Sequence, residues 1–161
     1  MKVLLILAFL SIPAASVVAA PHSAHVHGVA EIDVVVDGNK VLITLESPAD
    51  NLLGFERAPK NDYEKNKVQD VAAQLQVVGN VFAPNAQCQS AKPVVVMPTF
   101  GKGEHSDITA EYMFECSNQA TQIKLPLWKN FAGFKSLMVN LVTPQGQKQL
   151  KLKPGQALDL K

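Results

Sequence analysis

Across residues 26–36 every even-numbered position is apolar: Val26, Gly28, Ala30, Ile32, Val34 and Val36. The odd-numbered side carries His25, His27, Glu31 and Asp33, with Val29 among them. Successive side chains of a strand point to opposite faces, so this period of two reads as a half-buried β-strand. One face meets a core, while the other offers two imidazoles and two carboxylates. That layout suits zinc, a borderline divalent ion that takes imidazole nitrogen and carboxylate oxygen. The plainer reading is a polar tail running into an ordinary strand, because H-x-H by itself is a weak motif.

The same alternation returns further along the chain. Ile108, Ala110, Tyr112, Phe114 and Cys116 share one face, and His105, Asp107, Thr109, Glu111, Met113 and Glu115 share the other. The fourth histidine therefore opens a second strand whose polar face bears carboxylates. Asp37-Gly38-Asn39-Lys40 is a tight-turn signal, and residues 41–47 form the returning strand of a hairpin. Residues 94–97, introduced by Pro93, read as a short buried strand, and residues 123–125 as another. Residues 137–142 and 149–152 close a last hairpin across Thr143-Pro144-Gln145-Gly146. Two helices are expected. Asn61-Asp62-Tyr63-Glu64 resembles a capping box that opens a helix over residues 62–78, with Val68, Val71, Ala72, Leu75 and Val78 at helical spacing. Residues 126–134, with Pro126 at the start, read as a short amphipathic helix. The class implied is α+β: an antiparallel sheet built of hairpins, covered by one longer and one short helix.

Lys2, then an almost wholly apolar run over residues 3–12, then small residues to Ala20, form the pattern of a secretory signal. We expect residues 1–19 to be a cleaved signal peptide and residues 20–161 a single exported domain, without a membrane anchor. Only Cys88 and Cys116 are present. Two thiols in an oxidising compartment are most simply a disulfide. A thiolate metal site or redox pair is the lesser option, and the C-x-x-C spacing of oxidoreductases is missing. Side-chain charge is 15 minus 14, or +1, and falls to zero without Lys2. No basic run alternates with aromatics, so nucleic acid is not an expected partner. The chain lacks G-x-S-x-G, H-E-x-x-H, a P-loop and a dinucleotide fingerprint, and we expect no enzyme. Ser106 and Asp107 beside His105 do not make a triad, since neighbours on a strand face opposite ways.

Several stretches carry a resemblance. His25-Val26-His27-Gly28-Val29-Ala30-Glu31 is followed by Ser47-Pro48-Ala49-Asp50-Asn51-Leu52-Leu53-Gly54-Phe55-Glu56. Then come Cys88, His105-Ser106-Asp107 leading to Tyr112-Met113-Phe114-Glu115-Cys116, and Leu141-Val142-Thr143-Pro144-Gln145-Gly146. In this order they resemble the exported zinc-binding proteins of the ZrgA type. The resemblance implies a periplasmic protein of Gram-negative bacteria that binds zinc and assists a zinc-importing ABC transporter. Members of this type usually hold a histidine-rich insertion between the cysteines. Here that region is only Phe100-Gly101-Lys102-Gly103-Glu104-His105, and Arg57 stands where histidine is expected. Fewer imidazoles imply fewer ions, about one.

Spacing and resemblance together point to one expected site. We expect His25 and His27 to supply two nitrogens to one Zn2+, with His105 as the candidate third ligand if its strand lies near the first, and Asp107 or Glu31 as a carboxylate ligand or an orienting group. His22 is an accessory ligand on the N-terminal tail. The competing class is a metal-free, disulfide-stapled module of the periplasm that serves structure or protein interaction.

Overall fold

The alternating stretch becomes β1 (Val29–Asp37), which turns through Gly38 and Asn39 into β2 (Lys40–Pro48). Gly38 takes φ +59°, the left-handed conformation a two-residue hairpin turn requires. The computed structural model describes residues 26–100 and 106–161; the expected signal peptide, His22, His25 and His105 lie outside the described residues.

The chain continues through α1 (Ala49–Leu53) and α2 (Asp62–Leu75) to the short strands β3 (Ala83–Pro84), β4 (Cys88–Ser90) and β5 (Val94–Val96). The long strand β6 (Asp107–Cys116) comes next, then β7 (Gln122–Lys124) and α3 (Leu127–Asn130). The hairpin β8 (Ser136–Thr143) and β9 (Gly146–Leu152) precedes β10 (Leu158–Asp159). The large sheet runs β4-β6-β2-β1-β8-β9, with β5 also paired to β6, and a small sheet runs β10-β7-β3.

The α+β class stands. Ala30, Ile32, Val34 and Val36 are buried, as are Ile108, Ala110, Tyr112, Phe114 and Cys116, while Glu31, Asp33, Glu111 and Glu115 are exposed. Cys88 and Cys116 are register partners on β4 and β6 and are joined as a disulfide. Among the described residues no helix is long and apolar enough to cross a membrane.

Four expectations need correction. The sheet is not wholly antiparallel, because β1 pairs in parallel with β8, Ile32 opposite Val139. The strand at Val94–Val96 is an edge rather than a buried strand: Val94 and Val96 are 60% and 58% exposed. The longer helix stops at Leu75, and Val78–Asn80 forms a separate 3-10 turn. The short helix spans only Leu127–Asn130, because Phe131 turns to an extended backbone so that it and Phe134 reach the core.

Helix α2 opens as its sequence implies, with the Asn61 side chain accepting the Glu64 N–H. Its buried residues, Val71 and Leu75, face the sheet. The Tyr112 hydroxyl crosses from β6 to donate to the Leu75 carbonyl at 3.0 Å, and burial pushes this phenol's ionisation well above its usual range. Leu75 is fully buried, so Leu75→Ala should destabilise the protein by about 2–4 kcal/mol through lost transfer energy and a residual cavity. Urea unfolding measures this, and a loss below half a kcal/mol would mean that Leu75 is not a core residue.

Candidate metal centre

His27 is not on a strand. It sits in a turn closed by the Val29 N–H donating to the Val26 carbonyl, before β1 begins. Gly28 takes φ +88°, so the alternation of β1 does not extend back to His27. A side chain at Gly28 would also meet Lys135, whose Cδ lies 2.8 Å from the position a Cβ would occupy.

This turn is held from both sides. The Gly28 N–H donates to the Asn51 side-chain oxygen, and the Gly28 carbonyl accepts from the Lys135 and Ser136 N–H groups. Asn51 is buried and uses its amide fully: Nδ2 donates to the Val29 carbonyl at 2.9 Å and to Ser47 Oγ at 3.1 Å. Helix α1 carries Asn51 to this point. It ends on Gly54 at φ +78°, whose N–H returns to the Asp50 carbonyl. Gly133 lies against the Asn51 backbone so closely that a Cβ there would fall 2.0 Å from the Asn51 oxygen.

The result is an imidazole between two carboxylates. His27 Nδ1 lies 3.4 Å from Asp50 Oδ2, and Nε2 lies 3.5 Å from Glu56 Oε2. The imidazole is 60% exposed and open to an incoming ion. Ser106 secures the second acid from below: its buried hydroxyl donates to the Glu56 carbonyl at 2.8 Å, and its own carbonyl accepts the Ala49 N–H. The start of β6, and with it the covalent neighbour of His105, is thereby fixed beside Glu56.

Arg57 locks the far side of this loop. It forms two 2.7 Å hydrogen bonds with the Glu64 carboxylate and stacks over the Phe55 ring. The Arg57 guanidinium, with help from the Lys60 N–H, holds the Glu64 carboxyl at about 2, below its ordinary value of 4.5. The folded form thus binds this proton less readily than the unfolded chain. Its stabilising effect is present above about pH 4.5 and is lost as pH falls toward 2. The stability difference between the parent and Glu64→Gln should shrink over that window in urea unfolding at successive pH values. A difference independent of pH would show that this ion pair contributes nothing.

The sequence-predicted ligands are not gathered as the strand argument implied. Glu31 points to the open face of the sheet, where Asn140 Nδ2 donates to both Glu31 and Asp33. Asp107 stands at the start of β6 opposite Pro48, with β2 between it and β1. His22, His25 and His105 fall outside the described residues. Among the described residues no three histidine, cysteine, aspartate or glutamate side chains form a group able to hold a metal ion. Asp50 and Glu56 surround His27 instead of facing one common point. Sequence reasoning quoted both acids within the matched stretch without giving them a role. The available signal was their place in the Pro- and Gly-punctuated stretch after β2 rather than on a strand.

No curated protein matches the chain. The family model described as ZrgA family zinc uptake protein matches residues 24–158, nearly all of the described fold, including the His27 turn, the Asn51 helix and both cysteines. The chain belongs to the ZrgA family of zinc uptake proteins.

Proposed function

We propose that this protein is exported to the periplasm, binds one zinc ion at the His27 end of its sheet, and assists an ABC-type zinc importer. The observation that carries the site is the spacing of His27 Nε2 and Glu56 Oε2, 3.5 Å apart. Tetrahedral ligands 2.0–2.2 Å from one zinc stand about 3.3–3.6 Å from one another, so an ion fits between these two atoms with little movement. Asp50, at Nδ1, is then the carboxylate that orients the ring and raises its basicity. His25 lies two residues before His27, and His105 is bonded to the anchored Ser106. These two complete the ligand set in this reading, with His22 accessory and with Asp107 and Glu31 outside the first rank. Family membership and a disulfide suited to an oxidising compartment support the wider role.

Equilibrium dialysis of residues 20–161 with zinc tests the site. We expect about one tightly held ion, lost in His27→Ala and in the His25→Ala/His27→Ala pair. Asp50→Asn should weaken binding by about 10–100-fold, as expected for an orienting partner, and His22→Ala should matter less. Affinity should fall below neutral pH, because imidazole binds in its neutral form. Undiminished binding by His27→Ala would place the site elsewhere. No binding by the parent would favour the metal-free interaction module.

A further inference from the structure

Eight large apolar side chains are exposed among the described residues, and five of them share one surface. Val35, Val94, Val96, Met113 and Val142 all lie on the open face of the large sheet, opposite the helices. The register aligns them: Met113 faces Leu42, Leu42 faces Val35, and Val35 faces Val142. A continuous apolar row therefore crosses β6, β2, β1 and β8, about 14 Å at the usual strand spacing. Val94 and Val96 add apolar surface at the sheet edge, opposite Glu111 and Thr109 of β6.

The flanking rows are acidic. Glu111 and Asp33 lie on one side of the apolar row, and Glu115 and Asp37 on the other, where Lys40 is the one cation between them. A further row sets Glu46 directly opposite Glu31 and continues through Met138 to Lys151 on β9, which leaves the face net acidic. Like charges opposed in this way destabilise a sheet. Among the described residues no lysine or arginine forms an ion pair with any of these six carboxylates. Scattered exposed apolar residues are ordinary, whereas a contiguous patch with unbalanced charge around it marks a contact surface.

We propose that this open face, centred on Met113, Leu42, Val35 and Val142, docks a protein that presents lysine and arginine around an apolar centre. The charge decides between occupants. A second copy seated face to face would set acid against acid, and an anionic lipid surface would be repelled. The inference rests on the zinc-uptake reading in one respect: it identifies the partner as the soluble metal-binding component of the importer. Two acidic rows, Glu111 with Asp33 and Glu46 with Glu31, lie between the apolar row and the His27 end, so a docked partner would reach toward the zinc site along β1.

The test uses residues 20–161 and the purified soluble metal-binding component of the zinc importer from the same cell, with affinity measured at low and high salt. We expect binding that weakens as salt rises. Val35→Glu/Met113→Glu and Glu46→Lys/Glu111→Lys should each weaken it by about tenfold or more. Val77→Glu, an exposed apolar position off this face, should bind like the parent. Thermal unfolding confirms that the variants fold, and zinc dialysis reads the metal site separately, so a failure of the zinc reading shows there and not here. No binding by the parent, or binding indifferent to both face variants, overturns the proposal. So does a dimer of this chain, or adsorption to anionic vesicles, that the Val35→Glu/Met113→Glu variant abolishes.

Discussion

Asn51→Leu should lower stability by about 3–5 kcal/mol, because it strips partners from buried backbone and hydroxyl groups that cost about 1–3 kcal/mol each when unmet. The side chain is 4% exposed and serves three groups at once: the Gly28 N–H, the Val29 carbonyl and Ser47 Oγ. Leucine has similar volume and no polar atom, so the loss is one of hydrogen bonds rather than packing. Ser47 keeps a contact with the Pro48 carbonyl, which limits its share. The Gly28 N–H and the Val29 carbonyl flank the turn that holds His27. Zinc affinity should therefore fall in the same variant even where it remains folded. Urea unfolding checks the first effect and dialysis below the unfolding range checks the second. A stability loss under 1 kcal/mol would mean that the lattice around Asn51 does not hold the turn.

Removing the disulfide should cost a similar amount by a different route. Cys88 and Cys116 are 28 residues apart in sequence, and closing a loop of that size is worth about 3–4 kcal/mol on the chain-entropy account. For a domain of this size that corresponds to about 10–15 °C in thermal midpoint. The bridge ties β4 to the end of β6, where the Cys116 N–H and carbonyl already bond Asn39 of the first hairpin turn. Its loss should therefore loosen this corner before the helical side. Melting curves of Cys88→Ser/Cys116→Ser against the parent measure the effect, and a midpoint within a few degrees of the parent would refute it. Thiol titration of the denatured parent should find no free thiol.

What the residues determine by themselves is the local pattern. Period-two alternation fixed the inward faces of β1, β2 and β6, since a strand with one buried face tolerates no slip of a single residue. Asn61 and Glu64 marked the start of α2, because a capping side chain acts within three residues of itself. Two cysteines in a chain with an export pattern implied their bond. The ZrgA-type resemblance lay in the order of short stretches, and the family match covers them.

Contacts between residues distant in sequence belong to the tertiary structure. The parallel pairing of β1 with β8 joins strands about a hundred residues apart, and no local period encodes which distant strand becomes a neighbour. The centre at His27 has the same origin. A glycine at φ +88° takes the imidazole off the strand, and an asparagine 23 positions away fixes that turn. Asp50 from α1 and Glu56 from the loop after it then meet the imidazole from the far side of β2 in sequence. Alternation placed Glu31 and Asp33 beside His27 on one face, but side-chain parity holds only while the chain stays extended. Where Gly28 turns, packing alone decides which carboxylates face the imidazole.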